Sequence, residues 1–259
     1  MEQNKNLMDQ ENMKKFLQLL EENGMHDEKL SVQLLAGYVD QMESQFTTVL
    51  EELKNVRQEL STIQDKTLRA TAGRAVDKVV VKVEEAKNQV IKLKKHIMKS
   101  VDKAVSDFKE HGKSALVTAM KSLNVKGLLE TIKGSLNHAV QSADHGIDHL
   151  TKLGDNIHSA SHHLKNAGRV LTGKEADKIP TRDTEKGVLA KAQSGLFASM
   201  SALTTMATKT DNTIHSLNEF EQKHEPKKSV KSELKDIKNK QHQETSTIKM
   251  GKEKELEQR

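Results

Sequence analysis

The chain has 259 residues, 34% of them hydrophobic and 31% charged, with a formal net charge of +5 and no cysteine. Without cysteine, disulfides and thiolate metal sites are excluded. An apolar share below the roughly 45–50% of ordinary globular chains argues against a large rounded core and for thin helices that each bury one stripe.

Residues 1–12 are polar and mixed in charge, without the apolar core of a signal peptide. Residues 1–9 are expected to be disordered. Asp9 or Asn12 offers a cap for a short first helix whose Met13, Phe16, Leu17 and Leu20 share a face, and Asn23-Gly24 is a stop signal. Asp27 stands where the next N-cap belongs. Val32, Leu35, Val39, Met42, Phe46, Val49, Leu53, Val56, Leu60 and Ile63 then follow the alternating 3,4 spacing of an unbroken heptad. That predicts a helix about 45 Å long whose seam must meet a partner.

After a short connection around residues 68–73, a second stripe runs through Val76, Val79, Val83, Ala86, Val90, Leu93, Ile97, Val101, Ala104 and Phe108. A stutter falls at Ile97 and Val101, and Gly112 is the expected C-cap. The first of these helices is acidic and the second basic: residues 27–65 hold eight acidic side chains against three basic, and residues 66–112 twelve basic against six acidic. An antiparallel hairpin is the natural pairing, with the opposite charges helping to select it.

A weaker helix follows over residues 114–123, interrupted at Asn124, and then a long one from about Lys126 to Leu171. Leu129, Ile132, Leu136, Ala139, Ala143, Ile147, Leu150, Leu153, Ile157, Ala160, Leu164, Ala167 and Leu171 mark the face of the long helix. Gly134, Gly146, Gly154 and Gly168 lie inside it, each costing about 1 kcal/mol against Ala, so close helix approach or bends are expected there. Residues 172–187 read as a linker punctuated by Gly173, Pro180 and Gly187. The last packed helix covers residues 188–222, with Leu196, Met200, Leu203, Ala207, Ile214 and Leu217 as its apolar face. Residues 223–259 are rich in Lys, Glu and Gln and read as a disordered or loosely helical basic tail.

Motifs for chemistry are weak. Gly168 to Lys174 matches the start of a phosphate-binding loop, but Glu175 replaces the hydroxyl that holds magnesium and a helix precedes it where a strand is needed. His145 and His149, and His158 and His162, are i,i+4 pairs able to share a metal, yet each lacks further ligands, and a solvated polar face is the favoured reading. Lys92, Lys95, Lys99 and Lys103, widened by Lys94, form a basic stripe able to track phosphates; complementarity to the acidic helix is favoured. No nucleophile motif orders Ser, His and Asp into a triad, so no catalytic, cofactor or metal residue is assigned.

Three stretches carry a resemblance: MKKFLQLLEENG at 13–24, YVDQMESQFTTVLEELKNVRQEL at 38–60 and HLKNAGRVLTGKE at 163–175. Over about residues 10–222 the chain resembles an uncharacterised helical family carried on conjugative and other mobile elements of Gram-positive anaerobes. The resemblance implies a cytoplasmic accessory protein of a bacterial mobile element, and no activity.

The expectation is an all-α chain of long amphipathic helices packed as antiparallel coiled-coil-like hairpins, an elongated bundle over residues 10–222. The expected role is that of a non-enzymatic scaffold, cytoplasmic and without a transmembrane segment, binding a protein partner or itself through helix faces. The alternative is a DNA-associated factor that holds phosphates through Lys92 to Lys103 and the basic tail. Peripheral membrane association is a third reading, since long amphipathic helices can lie on lipid.

Overall fold

The structure is a computed structural model that describes residues 6–224 apart from Asn124, with side chains through residue 219. Nearly all of the tail expected over residues 223–259 lies outside the described residues. The described residues up to Leu217 form one compact unit. Six α-helices are described, with no strand among the described residues: α1 Glu11–Glu22, α2 His26–Ser61, α3 Lys66–His111, α4 Lys113–Ser122, α5 Lys126–Leu171 and α6 Val188–His224.

α2 and α3 pair as an antiparallel hairpin. Lys94 of α3 reaches Asp40 and Glu43 of α2, Lys87 reaches Thr47, and Arg57 reaches back to Asp77, so one chain number falls as the other rises. The heptad explains the pairing: Val32, Leu35, Val39, Met42, Phe46, Val49, Leu53, Val56 and Leu60 are all buried, against Val76, Val79, Val83, Ala86, Val90, Leu93 and Ile97. Each large side chain removed from water stabilises by about 1.5–3 kcal/mol.

Ile63, the last seam position, lies beyond the end of its helix and still packs against the core. α2 stops at Ser61, and Ile63 sits half-buried in a connection over residues 62–65, earlier than the expected 68–73. Asp65 is the reason: its carboxylate accepts from the Leu68 backbone N–H at 2.9 Å and caps α3 there, leaving Gly73 within the helix.

The remaining helices complete a four-helix arrangement of α2, α3, α5 and α6. α5 lies on α3, with Gly146 beside Val79 and the Ala75 carbonyl. α6 runs antiparallel to α5, since Gln193 bonds Thr151 and Lys133 pairs with Asp211. It also runs antiparallel to α2, with Gly195 against Val56 and Thr210 against Tyr38. At Gly112, φ of +51° lets the chain end α3 and turn directly into α4.

Of residues 1–9, expected to be disordered, 1–5 lie outside the described residues and the last three are ordered. Leu7–Asp9 form a 3-10 turn with Leu7 fully buried, because the Asp40 carboxylate accepts from the Leu7 and Met8 backbone N–H groups at 2.8 and 3.4 Å. Neither Asp9 nor Asn12 caps α1, whose N-cap is Gln10. Asp27 sits inside the first turn of α2, after the N-cap Met25.

Candidate interaction surface

α5 carries one heptad along its whole length. Leu129, Leu136, Ala143, Leu150, Ile157, Leu164 and Leu171 recur every seven residues, with Ile132, Ala139, Gly146, Leu153, Ala160 and Ala167 between them. Its first half is core: Leu129, Ile132, Leu136, Ala139, Ala143 and Leu150 are 0% exposed. Its second half is surface: Ile157 is 40% exposed, Leu164 76% and Leu171 87%.

The change follows from where the neighbours stop. The Gln193–Thr151 bond sets Val188, the first residue of α6, level with Asn156 of α5. α2 has ended at Ser61 and α3 begins at Lys66, while Ala75 and Val79 already lie beside Gly146. α5 therefore runs on past the bundle for about 22 Å over residues 157–171.

The linker over residues 172–187 covers the opposite side of this projection. Gly173, at φ +76°, closes α5: its N–H bonds the Val170 carbonyl, and the Lys174 N–H bonds that of Arg169. The chain then returns along the polar back of α5. Arg169 pairs with Asp177 at 3.0 Å, the Asn166 amide exchanges two hydrogen bonds with the Asp177 backbone, His158 Nε2 meets the Pro180 carbonyl at 2.8 Å, and Arg182 pairs with Asp155 at 2.8 Å. Gly154 leaves the space that the Arg182 guanidinium occupies. The apolar front, with Val170 (59% exposed) beside Leu164 and Leu171, stays open.

The basic stripe divides. Lys92, Lys95, Lys99 and Lys103 are exposed on α3 and make no ion pair among the described residues. Lys94, read as widening them, points the other way: it is 7% exposed and held between Asp40 and Glu43. The expected charge complementarity therefore rests on Lys94, since Arg57–Asp77 reverses the sense of the two helices. A groove of about 160 Å³ beside Lys103, between α3 and α4, is lined mainly by small and polar side chains such as Ser100, Asp107, Ser114 and Thr118.

The other motifs resolve structurally. Gly168 lies within α5, and Gly173 is a helix cap, with no strand before them. The His158 and His162 rings lie tilted against each other at 52°, with centroids 4.6 Å apart. Among the described residues no three His, Asp or Glu side chains gather closely enough to hold a metal. No described helix is long and apolar enough to cross a membrane.

The uncovered end of α5 was missed from periodicity, because a heptad specifies a stripe and not its partner. A signal was present in the linker: sixteen residues between long helices are enough for the next helix to start well back along α5.

No curated protein and no solved structure matches the chain. The family match runs to residue 259 and so takes in the tail, which the resemblance over residues 10–222 left out. With its family model matching residues 9–259, the chain belongs to DUF6674, a family of unknown function.

Proposed function

We propose that the protein is a non-enzymatic helical scaffold whose four-helix bundle holds the end of α5 out as a docking surface for a helical protein partner. One observation carries this reading: a single heptad is fully buried through Leu150 and 76–87% exposed at Leu164 and Leu171. Exposed apolar residues scattered singly are ordinary, whereas a contiguous stripe on a rigid helix marks an interaction site. The bundle also prepays the ordering of α5, which lowers the entropic cost of docking. The resemblance of residues 13–24, 38–60 and 163–175 supports a setting in the cytoplasm of a bacterium, as an accessory protein of a mobile element.

The test is a photoreactive residue at Val170 in cells producing the protein, compared with one at Val81, a 50% exposed apolar position on α3. Adducts to protein at Val170 and few at Val81 are expected. Equal yields at both would contradict the reading.

A second reading is favoured by Lys92, Lys95, Lys99 and Lys103, exposed and without an ion pair among the described residues: phosphate binding along DNA. It predicts affinity that falls steeply with salt in a fluorescence anisotropy titration and is lost in Lys95→Glu/Lys99→Glu. Affinity unchanged by that substitution would remove it.

A further inference from the structure

We propose that the occupant of the α5 docking surface is a second copy of this chain, paired antiparallel through residues 160–171. The inference rests on the reading of that stripe as an interaction surface and names its partner.

The stripe alternates in size. Leu164 and Leu171 occupy one set of heptad positions, and Ala160 and Ala167 the other. A parallel pair would set Leu164 on Leu164 and Ala160 on Ala160, leaving voids at the alanines. An antiparallel pair places the two sets opposite each other, so every large side chain enters the space above a small one. The contact is its own complement, as a two-fold interface requires.

The bundle fixes the register. α6 begins level with Asn156, so the incoming tip has to stop short of that level. Leu171 opposite Ala160 and Leu164 opposite Ala167 is the deepest overlap that does so, and it covers Leu164, Leu171 and both alanines in each copy.

Charge permits the contact. The positions flanking the stripe are Ser161, His163, Gly168 and Val170, all exposed and none a carboxylate or ammonium. Of the charged groups between residues 155 and 171, Asp155 and Arg169 are engaged by the returning linker on the far side, and Lys165, exposed, lies outside the four flanking positions. An added Cβ at Gly168 meets open space, so no described residue fills that flank. The exposed part of Leu164, Val170 and Leu171 amounts to roughly 400 Å², comparable with the apolar share of one side of a standard interface.

The experiment uses the full chain and two measurements. Sedimentation equilibrium at tens of micromolar should give twice the 29.0 kDa chain mass. Leu164→Glu should weaken that association by on the order of 100-fold with helicity and melting unchanged. The chain has no cysteine, so introduced ones are unique. Ser161→Cys/Gly168→Cys should form covalent dimers on mild oxidation, because each cysteine faces the other kind across the antiparallel pair, while neither single variant should. A monomer at every concentration overturns the proposal, as do dimers that resist Leu164→Glu or cross-linking by Ser161→Cys alone. Adducts at Val170 in cells alongside a monomeric purified protein would overturn self-pairing and leave the docking surface standing.

Discussion

At the scale of single residues, glycine separates into two roles. An added methyl at Gly195 of α6 would overlap Val56, which is buried in the α2 seam, whereas at Gly134 of α5 it meets open space. Gly195→Ala should therefore cost about 1–3 kcal/mol, since a packed core resists an added methyl. Gly134→Ala should stabilise by about 1 kcal/mol through helix propensity. Chemical denaturation of both variants checks the opposite signs. Burial of Tyr38 raises its phenol to about 12, with the Thr210 hydroxyl at 2.7 Å pulling the other way. The unfolded phenol ionises near pH 10, so above that the unfolded chain has lost a proton that the folded one keeps, and stability falls between about pH 10 and 12. Tyr38 is partly exposed, which reduces the effect to about 1–2 kcal/mol. It should show as a loss in the wild type relative to Tyr38→Phe over that interval. Lys94→Met would take the ammonium from between the Asp40 and Glu43 carboxylates, 11% and 13% exposed, and should cost about 3–5 kcal/mol. Because Asp40 also holds Leu7 and Met8, amide exchange at those residues should rise in the same variant.

At the scale of elements, the α2–α3 hairpin was readable because both helices obey one spacing and the connection between them is short. Boundaries were less so. Asp65 competes with the glycine at 73 as a punctuation mark, and its side-chain hydrogen bond decides the matter, which moves the connection upstream and puts Ile63 beyond the end of α2. The 3-10 turn at Leu7 was invisible for a different reason: it depends on Asp40, thirty-three residues away, and no local pattern encodes that bond. Charge was the most misleading signal. The excess of acid on α2 and base on α3 is real, yet one buried lysine carries the exchange in the expected sense, and Lys92, Lys95, Lys99 and Lys103 stay in solvent.

For the molecule as a whole, helix content and antiparallel packing followed from composition and the heptads, whereas the candidate site did not, because it is defined by where three other helices stop. Beyond Ile157 the α5 stripe keeps its spacing and loses its neighbours, so the same residue types change from core to surface. The most direct measurement of that claim is the thermal unfolding of two variants, followed by circular dichroism. Leu164→Glu should keep its helicity and melt within a few degrees of the wild type at dilute concentration. Leu150→Glu, two heptads back and fully buried, should lose the cooperative transition or melt far lower. Equal losses in the two variants would mean that residues 157–171 are covered by the chain itself, and the account of a projecting docking stripe would be wrong.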